Sequence, residues 1–178
     1  MIRLARNIRT SGTIMPSSRF LIDRLLRPID FATATSIVEL GAGTGCITKT
    51  LLKRMSPRCH LTCVEVEEEF ARACSEIDDA RLTVHHACAT DLRKVLEGAG
   101  IAEVDYIVSS VPLSILDDEL ADEILEVTQS CLRSGGTFIQ YQYSPSYLGK
   151  LNARYEDVRL GFTLRNIPPA VVYECVTA

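Results

Sequence analysis

The sequence predicts an α/β fold: a doubly wound, seven-stranded, mostly parallel sheet with an antiparallel hairpin at its edge. Three observations predict it. Short β-branched or aromatic runs alternate with amphipathic segments, two adjacent strand-like runs close the chain, and a glycine-rich turn follows the first run. With 178 residues, 47% of them hydrophobic, the chain is long enough for one domain, residues 1–178, with a sizeable core.

Five short runs have the composition of strands, because β-branched and aromatic residues are frequent in them. They are residues 36–40, 60–66, 81–86, 104–110 and 137–143. Two further runs, VRLGFTLRN and AVVYECV, are joined by the sequence Asn-Ile-Pro-Pro at 166–169. A short polar and proline-containing connection of this kind predicts a hairpin, which we place at the edge of the sheet.

Four segments between the strands place apolar residues three and four positions apart, which is the period of an amphipathic helix. They are residues 46–55, 67–77, 90–99 and 117–133. Strands that alternate with helices of this length form βαβ units, so we expect a parallel sheet with helices on both faces.

The first 30 residues are a basic arm ahead of a core at 31–178. The arm carries six arginines against Asp23 and Asp30. Within it, apolar residues fall at helical spacing: Phe20, Leu21, Leu25 and Leu26. Ser17 and Ser18 would cap this helix. It could lie in the interface of an anionic membrane, or it could pack as a lid on a ligand crevice, and the sequence leaves both open.

Charge and cysteine content exclude several classes of protein. A formal net charge of -4 argues against general binding to nucleic acid. The seven cysteines include no CxxC pair and have no histidines nearby at zinc-ligand spacing, so they predict buried thiols in a reducing compartment and no metal site. No apolar run approaches the ~18 residues of a membrane span, and the N-terminus does not resemble a signal peptide. We therefore expect a cytoplasmic protein.

The turn in IVELGAGTG, residues 37–45, lies between the first strand and its helix, where such sheets bind cofactors. A dinucleotide fingerprint would need glycine at position 46, where this chain has Cys46. The segment ELGAGTG at 39–45 instead resembles the first motif of S-adenosylmethionine-dependent methyltransferases of the Rossmann-like class I. Glu65, at the end of the second strand, is placed to accept both ribose hydroxyls, since a carboxylate accepts from two donors.

The flanking segments narrow this resemblance. SGTIMPSSRFLIDRLL, SSVPLS, FIQYQYSP and RNIPPAVVY together resemble the bacterial phospholipid N-methyltransferase family over nearly the whole chain. That family methylates phosphatidylethanolamine towards phosphatidylcholine, and ornithine-lipid methyltransferases share its architecture. The rRNA adenine dimethyltransferases are similar in the core but have Asn-[Ile/Leu]-Pro-Tyr after strand four, where this chain has Ser-Val-Pro-Leu at 110–113.

The resemblance implies S-adenosylmethionine as the cofactor. The residues that we expect to hold it are Glu39, Gly41, Ala42, Gly43, Gly45, Glu65, Val66, Cys88, Ala89, Ser109, Ser17 and Ser18. One departure concerns the segment after strand three, where the family usually has Gly-Asp-Ala and this chain has Ala-Cys-Ala at 87–89. Without that aspartate, the adenine edge is left to backbone groups or to Asp91.

Tyr141, Tyr143 and Ser110 are the candidate catalytic residues. The two tyrosines share one face of a strand, where aromatic rings can stabilise a methylated ammonium. Alternatively, both pack under the following helix. Ser109, Ser110 and Pro112 form the turn after strand four, which in this class surrounds the transferred methyl. The alternative for both serines is a helix-capping turn.

The function that the sequence predicts is N-methylation of an amine-bearing phospholipid by a peripheral enzyme on the inner, anionic face of the membrane. We expect no nucleic-acid partner, and the oligomeric state is open. One alternative is a methyltransferase for rRNA adenine or for a small soluble amine. A second is a non-catalytic module that binds the cofactor, which the missing aspartate at position 88 favours.

Overall fold

The computed structural model describes residues 18–164 and 166–178. Helices and strands alternate along most of this chain. In order they are α1 (Arg19–Leu26), β1 (Ser36–Leu40), α2 (Cys46–Arg54), β2 (His60–Glu65), α3 (Glu68–Ser75), β3 (Leu82–His86), α4 (Leu92–Gly98), β4 (Val104–Ser109), α5 (Asp118–Cys131), β5 (Leu132–Gln142), α6 (Leu148–Asn152), β6 (Asp157–Thr163) and β7 (Ala170–Val176).

Within the described residues the strands form one seven-stranded sheet of order β3-β2-β1-β4-β5-β7-β6. β1 to β5 pair in parallel, whereas β7 is antiparallel to both β5 and β6. The predicted fold class is confirmed, and β6 and β7 form the predicted hairpin at the sheet edge. The strand order reverses between β1 and β4, and a crevice opens at the carboxyl ends of the strands at such a point.

Each face of the sheet is covered by three helices, because neighbouring residues of a strand point to opposite sides. Ile37 packs in a core cluster with residues of α1, α2 and α3. Val38 packs in a second cluster with residues of α4, α5 and α6. All seven cysteines lie in the described part of the chain and are free thiols, five of them buried. No described helix has the length and apolarity needed to cross a bilayer.

Two elements differ from the sequence prediction. β5 begins at Leu132 rather than 137, with a register shift against β4 near Gly135, whose φ is +68°. A positive φ is a conformation that glycine adopts without strain, so the strand extends through an irregular segment ahead of the predicted run. The short helix α6 was not predicted, since five residues are too few to show a helical period.

Helix α1 forms where its periodicity predicts. The Oγ of Ser18 accepts a hydrogen bond from the amide of Leu21 at 3.2 Å, so Ser18 is the predicted N-cap, while Ser17 lies outside the described residues. The apolar face is buried in the core: Leu21, Ile22, Leu25 and Leu26. That face cannot also lie in a membrane, so the interpretation of residues 19–26 as an interfacial membrane helix is wrong. The helix packs in the core against the sheet and α2, and its role as a lid on the crevice stays a prediction.

One of the arm's arginines has a structural position. A Cβ on Gly161 of β6 would collide with the guanidinium of Arg24, so the arginine lies across the strand at the point where a side chain is missing. Arg19 and Arg27, at the two ends of α1, are both exposed.

The edge of the sheet where β1 to β5 end, called here the carboxyl edge, also receives the hairpin. β6 runs parallel to β5, because both are antiparallel to β7, and the last pair, Thr163 with Ala170, lies beyond the pair of Gln142 with Val171. The hairpin turn, described at residues 164 and 166–169, is therefore at the carboxyl edge. The amide of Ser18 donates to Oδ1 of Asn166 at 3.3 Å, so α1 begins there too. The segment after α1 reaches the opposite edge, where the amide of Asp30 donates to the Tyr106 hydroxyl at 3.2 Å.

Candidate functional site

The glycine turn after β1 has three left-handed residues, with φ of +76° at Gly41, +52° at Gly43 and +76° at Gly45. A Cβ on Gly41 would lie 3.0 Å from the Ser110 hydroxyl, whereas a Cβ on Gly43 would have no heavy atom of the protein within 4 Å. Gly41 is thus required by close packing against the neighbouring turn. The space beside Gly43 is open at the crevice, where a ligand can approach the backbone.

Glu65 lies beside this open space, as predicted. Its Oε2 accepts the amide of Gly43 at 2.8 Å and its Oε1 accepts the amide of Glu67 at 2.9 Å, so the buried carboxylate joins the end of β2 to the glycine turn. Each carboxylate oxygen has a second lone pair and can still accept a hydroxyl donor. Val66 follows at the rim of the crevice, where its carbonyl oxygen is 3.1 Å from Nε2 of His86.

Glu39 lies near the end of β1, two residues before Gly41, and is buried. Cys63 Sγ is within hydrogen-bond distance of Oε2 at 3.3 Å, while Oε1 has no hydrogen-bond partner within the described chain. Burial raises the pKa of Glu39 to about 7, against weaker opposing effects of Thr48 and Cys63. A buried acceptor with this pKa is ionised more easily when a cation binds beside it.

These residues fit S-adenosylmethionine. The cofactor carries an ammonium, a sulfonium, a carboxylate and two ribose hydroxyls, of which the ammonium and the hydroxyls are donors. The end of β1 and the turn after it supply a buried carboxylate oxygen of Glu39 without a partner in the described chain, spare lone pairs at Glu65 and open space at Gly43. Ala42 lies between the two glycines and is buried.

The predicted adenine side is less polar. Cys88 is half-buried and immediately precedes a 3₁₀ turn, Ala89–Asp91, whose Asp91 amide donates to the Cys88 carbonyl oxygen at 2.9 Å. The carboxylate of Asp91 forms an ion pair with Lys94 at 3.0 Å. Asp91 is therefore close to the position of the missing aspartate, but its carboxylate already has a partner.

The turn after β4 is attached to the glycine turn through Ser110. Its hydroxyl donates to the carbonyl oxygens of Gly41 and of Leu40, the latter at 3.3 Å. Ser109 is buried, and its Oγ accepts the amide of Val111 at 3.2 Å. Neither serine caps a helix, since the next 3₁₀ turn begins after Pro112. The contacts of Ser110 position the two turns relative to each other, and its catalytic role stays a prediction.

Two glutamines that the sequence analysis did not single out hold the same turn. Gln140 and Gln142 lie on one face of β5, are both buried, and donate from Nε2 to the Val111 carbonyl oxygen at 3.0 and 3.1 Å. The Tyr147 hydroxyl donates to the Leu113 carbonyl oxygen at 2.8 Å. The sequence contained a signal for this arrangement. Gln140 and Gln142 alternate with tyrosines in a strand whose two faces are both covered, so their amides are buried and must find hydrogen-bond partners.

Tyr141 and Tyr143 share the other face of β5. Their ring centroids are 5.9 Å apart with an angle of 76° between the planes, an edge-to-face pair. Tyr141 packs against the cluster formed with α1, α2 and α3, whereas α6 covers the opposite face. The alternative in which both rings pack under the following helix is therefore wrong. Tyr143 is exposed at the carboxyl edge and can contact a cation there.

Comparison with known proteins gives consistent findings. A family model described as a methyltransferase domain matches residues 38–138. An ornithine lipid N-methyltransferase from Singulisphaera acidiphila is 34% identical over 167 residues, covering 92% of this chain and 87% of that protein. A ribosomal RNA small subunit methyltransferase A from Alcanivorax borkumensis is 35% identical over 72 residues, but these are 40% of this chain and 25% of that protein.

The fold comparison agrees. An O-methyltransferase from Bacillus cereus, solved in complex with SAH, superposes with a TM-score of 0.74 at 16% identity and covers 98% of this chain and 88% of that chain. At this identity the likeness concerns the fold, and it extends over the arm helix as well as the sheet.

Proposed function

The chain belongs to the bacterial family of S-adenosylmethionine-dependent lipid N-methyltransferases, and from this premise we propose that it methylates the primary amine of a phospholipid such as phosphatidylethanolamine at a membrane surface. The observation that carries the choice of substrate is the tyrosine pair. An exposed ring, held edge-to-face by a half-buried one, lies at the same sheet edge as the glycine turn. Such a pair suits an amine that becomes a methylated ammonium.

The division of work between cofactor and protein follows from this chemistry. Bound S-adenosylmethionine supplies a methyl group on a positively charged sulfur. The protein must align a neutral amine with it, exclude competing nucleophiles and accommodate a cationic product. The tyrosines contribute to the last of these by cation-π attraction of ~0.5 to 2 kcal/mol. A proton must leave the ammonium form of the amine before attack, and water at the open edge can take it.

The glutamines are proposed to keep the wall of the acceptor site rigid. Their two hydrogen bonds fix the carbonyl of Val111, and Ser110 ties the same turn to the glycine turn. Because reacting groups must be held to within about 0.5 Å, buried partners that lock a turn contribute to rate without contacting the substrate. This arrangement favours an enzyme over a module that only binds the cofactor.

The alternatives are less well supported. The similarity to the ribosomal RNA enzyme is confined to part of the chain, and the turn after β4 has neither the asparagine nor the tyrosine of that class. A non-catalytic module would explain Cys88 in place of an aspartate, but it would leave the buried amide network around Val111 without a purpose.

The experiment is methyl transfer from labelled S-adenosylmethionine by the purified protein. Vesicles containing phosphatidylethanolamine, vesicles containing ornithine lipid and a short RNA are offered in parallel, and products are separated by thin-layer chromatography. We expect label in one or both lipids. Label in RNA alone, or cofactor binding without transfer to any acceptor, would refute the proposal.

A matched pair of variants tests the tyrosine site. Tyr143→Phe keeps the ring and should retain most of the activity, while Tyr143→Ala removes it. The alanine variant should lose about three- to thirtyfold in kcat/KM, the equivalent of ~0.5 to 2 kcal/mol. Equal activity of both variants would show that this ring has no part in binding the amine.

A further inference from the structure

We propose that the hairpin turn, through its described residues 164 and 166–169 and together with Phe162, inserts into an anionic lipid surface and so places the carboxyl edge against the membrane. The proposal deepens the proposed function and rests on it, since a lipid substrate must reach the crevice from that edge. Helix α1 cannot take this role with its apolar face, because that face is buried. The hairpin of β6 and β7, predicted only as the edge of the sheet, takes it instead.

The distribution of exposed apolar side chains supports this placement. In the described ranges the exposed large hydrophobic residues are Ile115 at 43%, Tyr143 at 47%, Phe162 at 65%, Leu164 at 81% and Ile167 at 78%. Ile115 follows β4, Tyr143 follows β5, and the other three are in or beside the hairpin turn, so all lie at the carboxyl edge. Single exposed apolar residues are normal on protein surfaces, but a group confined to one edge marks an interaction site.

The hairpin turn presents these side chains from a fixed base. Asn166 is buried between Leu164 and Ile167, which are almost fully exposed. Its Nδ2 donates to the Pro168 carbonyl oxygen at 2.8 Å, and its Oδ1 accepts the amide of Ser18 at 3.3 Å. Here the amide is inside and the aliphatic side chains are outside, which reverses the usual preference in water. The arrangement is favourable when an apolar medium covers the tip.

Charge complementarity identifies the medium as an anionic lipid surface. Arg19 is exposed at the start of α1, one residue from the hydrogen bond to Asn166. The sequence that precedes the described residues, 1–17, contains Arg3, Arg6 and Arg9 and no acidic residue. Basic residues close to a lipid surface are attracted by anionic headgroups.

The acidic residues of the carboxyl edge are elsewhere. Glu67, Glu68 and Glu69 follow β2, and Asp117 and Asp118 precede α5, whereas the hairpin is on the far side of β5. We therefore infer a tilted docking in which the hairpin and the start of α1 approach the lipid first. The acidic loops, including the one in which Ile115 lies beside Asp117, then remain farther from the anionic surface.

A fluorescent probe gives a direct test, because the chain contains no tryptophan. In Leu164→Trp the new indole reports on the hairpin turn alone. The control is Arg58→Trp, in the exposed loop before β2 at the opposite edge. With vesicles containing phosphatidylglycerol, the emission of Leu164→Trp should shift to shorter wavelength and that of Arg58→Trp should not. Equal behaviour of the two probes would overturn the proposal.

A second variant measures the contribution to binding. Leu164→Gln combined with Ile167→Gln changes two side chains that pack against little, so the thermal unfolding midpoint should be unchanged. Vesicle binding in a flotation assay should fall roughly tenfold to a hundredfold, the equivalent of burying each of the two aliphatic side chains by about half. Wild-type binding by this variant would refute insertion of the turn.

The outcomes separate this inference from the proposed function. Turnover on a short-chain, water-soluble phosphatidylethanolamine should be the same in wild type and in the double glutamine variant. A protein that methylates lipid yet binds vesicles independently of residues 164 and 167 would overturn the inference alone. The emission of Leu164→Trp is also measured without vesicles. A shift to shorter wavelength that grows with protein concentration would show that the turn contacts a second copy of the chain, and it would also overturn the inference.

Discussion

The two halves of the sheet present opposite surfaces at the carboxyl edge. On the side of β1 and β2, Glu39 and Glu65 are buried, the backbone of the glycine turn faces the crevice, and no large apolar side chain of the described residues is exposed. On the side of β4 to β7, Gln140 and Gln142 are buried, and all the exposed large aromatic or aliphatic side chains of the described residues lie here, beside the acidic loop of Asp117 and Asp118. The first half is suited to a small charged molecule, and the second to an amphiphilic one.

This difference teaches how one fold can receive two chemically unlike reactants at a shared edge. Buried polar groups with spare hydrogen-bonding capacity bind a polar ligand, because they have already lost their hydration during folding. Exposed apolar groups bind a partner that supplies its own apolar phase. The contacts of Ser110 with Gly41 and Leu40 join the halves, so the two reactants meet across a hydrogen-bonded seam.

The largest expected effect is the loss of cofactor binding on the side of β1 and β2. Gly43→Val should lower the affinity for S-adenosylmethionine more than a hundredfold, because the side chain would fill the open space at the turn. Its matched control is Gly100→Val, which has a similar φ of +72° and open surroundings in a loop after α4. Calorimetric titration of both variants separates backbone strain from loss of the site. Near wild-type affinity in Gly43→Val would show that this glycine serves the turn only.

The next effect concerns Glu65. Glu65→Ala should weaken cofactor binding by roughly 2 to 4 kcal/mol, if two hydroxyl hydrogen bonds to a charged group are lost. Glu68→Ala, from the same acidic run but exposed, is the control and should change little. The measurement is again a calorimetric titration. A loss under about 0.5 kcal/mol for Glu65→Ala would show that this residue supports the glycine turn and does not bind the cofactor.

A third prediction uses the pH dependence of folding. The pKa of Glu39 rises from 4.5 to about 7 on folding, so the native state retains a proton that the unfolded chain has lost. Stability should therefore fall as pH rises from about 4.5 to 7, by about 3 kcal/mol. This loss of unfolding free energy is absent below pH 4.5 and complete above about pH 7.

Glu39→Gln removes the titrating group and should abolish this part of the pH dependence. Denaturant unfolding at pH 5 and pH 8 measures it: the variant should gain about 2.5 kcal/mol relative to wild type between the two conditions, because part of the cost is already present at pH 5. A constant difference between the two proteins at both pH values would contradict the argument that burial raises this pKa.

The smallest expected effect concerns vesicle binding on the side of the hairpin. Arg19→Gln should weaken binding to phosphatidylglycerol vesicles at low salt by about 1 kcal/mol, and the loss should shrink as salt is raised. Arg27→Gln is the matched control, since it is an exposed arginine at the other end of the same helix. Vesicle flotation compares them. Equal losses from both variants would mean that the helix, and not the hairpin side of the edge, approaches the lipid.

Much of this architecture could be predicted because it depends on local order in the chain. Alternation between periods of two and 3.6 residues located the strands and four of the helices between them. The three glycines after β1 are a local signal as well, because they indicate a turn with positive φ angles. The shared face of Tyr141 and Tyr143 follows from strand geometry alone. Boundaries were less accurate, as β5 shows, since its first residues follow an irregular path that no periodic pattern reports.

What the sequence by itself determined is therefore the fold class, the position of the glycine turn and the existence of an amphipathic helix at 19–26. Only the tertiary structure decided what covers each apolar face, because a periodic pattern records that a face is buried and not the surface that buries it. It placed Leu21 and Leu25 in the protein core, turned Gln140 and Gln142 towards Val111, and brought Leu164 and Ile167 to the carboxyl edge of the sheet. These contacts join residues up to 148 positions apart, such as Ser18 and Asn166. Strand order sets them, and strand order is a property of the whole chain.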